Sequence, residues 1–279
     1  MKIGVVGSGI MGNGIAQVFA MSGHTVILSD LNKQALDKAE LVINQNVERV
    51  LKKSNQLDKK QTVLDCLTYT TDNSLLKDAD LIVEAVTENM EVKRSVFKEL
   101  DSFCTSKTIL ATNTSGLSIT ELANMTNRPG KVCGMHFFNP VPVMKLVEIV
   151  RGAETTDETI QFVQSLTKEM EKVSIVAKDS PLFVVNRILI PMLSEAMFVY
   201  GEGIASAEDI DSGMVYGTNQ PIGPLRLADM IGLDTLLYVQ ETLLEETGDS
   251  KYRIPPILKQ LVRAGHYGRK TNKGFYTYE

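Results

Sequence analysis

Short runs of β-branched and aliphatic residues recur along the first part of the chain: Ile3 to Val6, Thr25 to Ser29, a weaker Thr68 to Thr70, Leu81 to Glu84, Thr108 to Ala111, Lys131 to Met135 and Lys145 to Val150. Most of the segments between them carry apolar residues every three or four positions, the spacing of one helix face. Strands alternating with helices predict an α/β fold with a parallel sheet covered on both sides. The stretch from Asn32 to Cys66 is rich in Lys, Gln, Asn and Asp, and its apolar positions fit two helices broken near Ser54 and Asn55. One crossover needs only one helix, so the second reads as a helical hairpin insertion. A further helix and strand, Asp157 to Met170 and Val173 to Val176, extend this region. Beyond Lys178 helical periods begin at Leu182, Ala207, Leu225 and Pro256, with no strand pattern until the last residues. A mainly α-helical C-terminal domain follows. In Asp179-Ser180-Pro181, Ser suits a helix N-cap and Pro is tolerated in a first turn, so the domains are expected at 1–180 and 181–279.

A length of 279 residues agrees with two domains. A hydrophobic share of 43% and a charged share of 23% belong to a folded chain with a sizeable core. The formal net charge of -5 argues against a general attraction to nucleic acid or to an anionic membrane. Lys2 to Val6 starts as a strand, with no leader pattern ahead of it, and the chain reads as cytoplasmic. Cys66, Cys104 and Cys133 are odd in number and widely spaced, which suggests neither disulfides nor a zinc site. The twelve Met residues read as core filler.

Gly7-Ser8-Gly9-Ile10-Met11-Gly12 follows the first strand and opens a helix. Gly7 would make the tight turn, Gly9 would let backbone N–H groups approach a pyrophosphate, and Gly12 would allow close helix packing. The helix amino terminus then faces the phosphate charge. These are the marks of a Rossmann-type, doubly wound nucleotide fold. Asp30 ends the second strand, where a carboxylate can accept hydrogen bonds from a ribose, and its charge favours NAD over NADP. Lys33 lies close enough to weaken that preference, and Asp30 capping the next helix is the alternative.

Asn113-Thr114-Ser115-Gly116 follows another strand, and His136 ends the next, so both should emerge at the carboxyl edge of the sheet. Asn139-Pro140-Val141-Pro142 forces an irregular loop before the chain returns with Glu148. A His met by a carboxylate is a suitable general base at neutral pH, although a lone His is as often structural.

The glycine motif, Val83 to Asn89, Asn113-Thr114-Ser115, the run from His136 to Glu148 and Phe183-Val184-Val185-Asn186-Arg187 resemble the L-3-hydroxyacyl-CoA dehydrogenases. The resemblance continues through Asp209-Ile210-Asp211 and Gly232-Leu233-Asp234 to the closing segment Gly268 to Tyr276, covers nearly the whole chain in order, and is nearest the bacterial 3-hydroxybutyryl-CoA subgroup. It implies that His136 exchanges a proton with the 3-hydroxyl group and that Glu148 orients the imidazole. Ser115 and Asn186 would hydrogen-bond the substrate, across an interdomain cleft. Glu88, Lys93, Ser115 and Asn139 match positions near the NAD cofactor, and Lys270 would reach it from the tail. An acyl-CoA substrate and a homodimer, or higher homo-oligomer, through the C-terminal domain are further expectations.

Coenzyme A brings phosphates, and Lys52, Lys53, Lys59 and Lys60 sit where the helical insertion breaks. Lys53 is taken as the candidate contact, with a merely solvated cluster as the alternative. Two positions depart from the family pattern: Leu182 replaces a glycine, and Arg226 stands where an acidic residue is usual. The rival functions are a dehydrogenase of free hydroxy acids and a noncatalytic NAD-binding sensor. The combination of Ser115, His136, Glu148 and Asn186 argues against the sensor.

Overall fold

In the computed structural model, which describes residues 1–279, eight strands form one sheet. They are β1 (Lys2–Val6), β2 (Thr25–Ser29), β3 (Leu67–Thr70), β4 (Leu81–Glu84), β5 (Ile109–Thr112), β6 (Val132–Phe137), β7 (Leu146–Arg151) and β8 (Val173–Lys178). Their order is β3-β2-β1-β4-β5-β6-β7-β8. The chain therefore reverses direction across the sheet at β1, where a crevice opens beyond the strand ends. The connecting helices are α1 (Ile10–Met21), α2 (Lys33–Lys53), α3 (Lys60–Leu64), α4 (Met90–Phe103), α5 (Ile119–Ala123) and α6 (Asp157–Glu169).

In the central strands β1, β4 and β5 both faces of the sheet are buried, and strand alternation sorts side chains between them. Ile3, Val5, Leu81 and Val83 pack with Phe19 of α1, Ile43 of α2 and Val163 of α6. Val6 and Ile82 point the other way, to Phe97 of α4 and Leu122 of α5. The same period explains why these strands read as continuous apolar runs.

The sequence expectations need three corrections. The sheet is not wholly parallel, because β7 runs antiparallel to β6. Residues 138–145 contain no crossover helix, so the chain can only turn back on itself. The second arm of the helical insertion is short, a single 3-10 turn at Leu57–Lys59 followed by α3. Only Val63 of that arm is buried, leaving little apolar area to hold a longer helix. Finally, Ser180 does not cap a helix; the next one starts at Val185. Leu182 and Phe183 instead adopt left-handed φ values of 60° and 55°. Both side chains are buried, which offsets the backbone cost. The preference for glycine at the Leu182 position is explained by that left-handed conformation.

Two compact units divide the chain, Met1–Phe183 and Val184–Glu279. The second consists of α7 (Val185–Gly201), α8 (Ala207–Thr218), α9 (Pro224–Ile231), α10 (Leu233–Thr247) and α11 (Pro256–Arg263). Two buried aspartates tie its carboxyl tail to its helices. Asp211 accepts from the backbone of Leu225 and Arg226 at the start of α9 and from the Tyr276 hydroxyl. Asp229 accepts from the Phe275 and Tyr276 amides and the Tyr278 hydroxyl.

Candidate active site

The turn after β1 is built by steric exclusion. Gly7 has φ +99°, and a Cβ there would lie 2.6 Å from the Ala85 carbonyl oxygen. At Gly12 a Cβ would lie 1.7 Å from the Gly7 carbonyl oxygen, so α1 can approach the strand only without one. Gly9, the N-cap of α1, has no side-chain cap, and nothing lies within 4 Å of where its Cβ would be. Open backbone N–H groups at a helix amino terminus suit a phosphate.

Asp30 stands beside this turn, and its Oδ2 accepts from Ser8 N and Ser8 Oγ, each at 2.7 Å. Burial pushes its carboxyl pKa up, but the hydrogen bonds from Asn32 and Ser8 outweigh burial and hold it below the usual value. The carboxylate is therefore charged at neutral pH. Asn32, not Asp30, caps α2, and Lys33 is paired with Asp37 at 2.5 Å. Asp30, Gly7, Gly9 and Met11 line a cavity of about 530 Å³, to which Ile10 and Leu31 add apolar surface. These groups fit the adenosine half of a dinucleotide.

At the ends of β4 and β5 a chain of charged groups leads to Ser115. Glu84 is wholly buried and accepts from Lys93 Nζ, Val86 N and Thr112 Oγ1, each at 2.7 Å. Lys93 also faces Glu88, at 3.5 Å. Glu88 Oε1 in turn accepts from Thr114 Oγ1 at 2.6 Å, Ser115 N at 2.8 Å and Ser115 Oγ at 3.1 Å. Three donors on one oxygen fix the Ser115 backbone and orient its hydroxyl.

His136 and Glu148 are directly opposite in the antiparallel β6–β7 register. His136 Nδ1 lies 2.7 Å from Glu148 Oε2, with the two residues 5% and 0% exposed. An ionised carboxylate only accepts, so Nδ1 carries the proton and Nε2 is left as the basic nitrogen. Phe138 and Phe183 flank the ring, with centroids 4.4 and 5.8 Å away. Asn113 Oδ1 accepts from Phe137 N and ties the end of β5 to this strand.

Asn139 lines a second cavity, of about 420 Å³, with Ser8, Gly9 and Asn13. Lys53 is exposed in the last turn of α2 beside Lys52, whereas Lys60 is paired with Glu48 and Lys59 donates to Gln56. In the second unit, Asn186 is half-buried in the first turn of α7. Lys270 is paired with Asp234 at 2.5 Å. Residue-by-residue reading passed over Glu84, although a carboxylate closing an apolar strand needs a buried partner. It also missed Thr114, whose small hydroxyl gives no sequence signal of its own.

Comparison with known proteins adds a family. Residues 2–180 match the model for the NAD binding domain of 3-hydroxyacyl-CoA dehydrogenase, and residues 183–278 match its C-terminal domain. The chain is 50% identical to a 3-hydroxybutyryl-CoA dehydrogenase of Clostridioides difficile, over 100% of this chain and 99% of that protein. It is 41% identical to the mitochondrial hydroxyacyl-coenzyme A dehydrogenase of Homo sapiens, over 99% of this chain and 90% of the relative. Among solved structures, the (S)-3-hydroxybutyryl-CoA dehydrogenase PaaH1 from Ralstonia eutropha superposes with a TM-score of 0.97 at 47% identity, covering 100% of this chain and 99% of that one.

Proposed function

The chain belongs to the 3-hydroxyacyl-CoA dehydrogenase family, and on that premise we propose that it interconverts short-chain (S)-3-hydroxyacyl-CoA and 3-oxoacyl-CoA with NAD. The four-carbon pair, 3-hydroxybutyryl-CoA and acetoacetyl-CoA, is the favoured substrate, in keeping with its relatives. The observation that carries the reading is the buried His136–Glu148 pair, 2.7 Å apart, with a polarised Ser115 in the same unit. A noncatalytic sensor has no use for a buried base held by a carboxylate.

NAD, held by the glycine turn and Asp30, would supply the acceptor for a hydride from C3 of the hydroxyacyl group. His136 Nε2 takes the proton of the 3-hydroxyl as the C–O bond becomes a carbonyl, and returns it in the reductive direction. Glu148 stabilises the imidazolium formed and keeps Nε2 facing the substrate. Asn186 and Ser115, the latter with its hydroxyl turned from Glu88 to the substrate, hydrogen-bond the reacting oxygen or the thioester carbonyl. Gly7, Ser8, Gly9, Ile10, Met11 and Gly12 carry the pyrophosphate, and Asp30 the adenosine ribose. Glu88, Lys93, Asn139 and Lys270 serve the rest of the cofactor, while Lys53 meets a coenzyme A phosphate. Residues 1–180 act as the NAD domain and 181–279 as the substrate and dimerisation domain. Exposed Ile188, Ile204, Tyr216 and Tyr238 give the helical domain apolar surface for a second copy. No helix is long and apolar enough to cross a membrane, and we assign the protein to the cytoplasm.

The test is NADH oxidation with acetoacetyl-CoA, run beside NADPH, free acetoacetate and a His136→Ala variant. Turnover that requires the thioester, prefers NADH and collapses in the variant is expected. Tight NADH binding without turnover would make the protein a sensor or an enzyme for another substrate.

A further inference from the structure

His136 and Glu148 lie on adjacent strands, and the eight-residue span 138–145 between those strands is held from outside by a group that the reaction leaves unused. Pro140 and Pro142 donate no backbone hydrogen bond. The only backbone–backbone hydrogen bonds within the span are those from Val143 N and Met144 N, both to the Pro140 carbonyl, at 2.9 and 3.0 Å. The carbonyls of Val141 and Met144 turn instead to Lys172, whose Nζ donates to each at 2.6 Å. Lys172 is 9% exposed and directly precedes β8.

The constraint passes onward through Val141. Its side chain, 2% exposed, is seated against α1 at Gly14, where a Cβ would lie only 2.9 Å from the Val141 Cβ. Val141 and Pro142 thereby form one wall of the 420 Å³ cavity, next to the cofactor residues Ser8, Gly9 and Asn139 that also line it, and Lys38 and Asn46 of α2 stand on another. That cavity runs along the helix that ends at Lys53, whereas the Asp30 cavity is bounded by Val92 and Val96 of α4 on the other face of the sheet. A pantetheine arm with its phosphates near Lys53 would pass along the first cavity.

We propose that Lys172 is a positioning residue that clamps the Val141 and Met144 carbonyls and so sets the wall against which the acyl-CoA binds, without touching the reacting atoms. The inference rests on the function proposed above. His136 itself stays opposite Glu148 through the five register pairs of β6 and β7, so the clamp governs binding more than chemistry. Burial, with Lys145 as a second cause, lowers the Lys172 amine to about 8. Charged or neutral, the amine keeps at least two N–H donors, and the clamp needs only two.

Lys172→Met keeps the stem and removes the donors, and Lys172→Arg restores donors on a different head. In Lys172→Met the KM for acetoacetyl-CoA should rise about fivefold or more, roughly 1 kcal/mol of lost binding. The kcat and the NADH Kd should stay within about twofold, and Lys172→Arg should recover at least about half of the KM change on a logarithmic scale. Amide exchange at Val143 and Met144 should quicken about tenfold in Lys172→Met, a readout independent of turnover. An unchanged KM or unchanged exchange in a folded Lys172→Met overturns the proposal, as does parallel loss of kcat and NADH binding in both variants. Should Lys172→Met not fold, Lys172→Leu, which likewise has no donor, is judged by the same criteria. A wild-type protein that does not turn over acetoacetyl-CoA refutes the reaction instead, and the exchange measurement then decides whether Lys172 holds the loop.

Discussion

Replacing Glu148 by Gln should separate chemistry from folding, because the amide matches the carboxylate in size and loses only its charge. The Glu148 carboxylate meets His136 Nδ1 at 2.7 Å with both residues buried. Taking about 4 Å between charge centres and an effective dielectric near 20, the attraction between carboxylate and imidazolium is about 4 kcal/mol. A well-placed amide oxygen retains part of that, so the loss falls at roughly 2–4 kcal/mol, or about 30- to 1000-fold in rate. The charge develops on the imidazole as it takes the substrate proton, so the loss belongs to the chemical step. Single-turnover reduction of acetoacetyl-CoA isolates that step from product release. NADH binding, followed by fluorescence, should be unchanged, since Glu148 lies on β7 and not at the glycine turn. A folded Glu148→Gln protein that reacts within about threefold of wild type would refute the argument. Equal losses in NADH binding and rate would assign the carboxylate a structural role.

At the cofactor turn, Asp30→Asn removes the charge that opposes a ribose phosphate while leaving acceptors for Ser8; the NADH-to-NADPH ratio of kcat/KM should fall about tenfold, and an unchanged ratio counts against Asp30 as the selector. Gly12→Ala places a Cβ where the Gly7 carbonyl oxygen stands, and urea denaturation should register a loss of about 3 kcal/mol or more, with little change contradicting the steric argument. Lys172, lowered by burial to about 8 from its ordinary 10.5, leaves the unfolded chain binding more protons between those values, so its contribution to stability is lowest below pH 8 and rises towards pH 10.5. The stability of wild type relative to Lys172→Met should therefore rise over that window, and a flat difference would deny the buried ammonium its cost.

The contrast between what was legible and what was not follows from the range of each determinant. β4 is buried on both faces, so its apolar run marks a strand without any help from its partners. Direction is not local: nothing within Leu146 to Arg151 says that it runs against β6, and only the absence of a helix between 138 and 145 decides it. The same limit explains the misplaced start of α7. Ser180-Pro181 has the chemistry of a cap, yet Leu182 packs on Gly116, distant in sequence, and its burial holds a left-handed turn instead. In the site, the glycine turn was readable because the spacing of the motif itself brings Gly12 against the Gly7 carbonyl, whereas the contact of Gly7 with Ala85 comes from β4 and is not local. His136 and Glu148 were readable as a candidate pair, because the proline loop sends the chain back, but the register that turns twelve residues of separation into direct contact was not. Glu84 and Lys172 stand at the far end of that scale. A charge beside an apolar run announces that it must be satisfied, but its partners lie nine residues away for Glu84 at Lys93 and thirty-one for Lys172 at Val141. Such groups carry their information in the tertiary contact, and substitution there should disturb the alignment of neighbouring functional residues more than the local elements in which the charges sit.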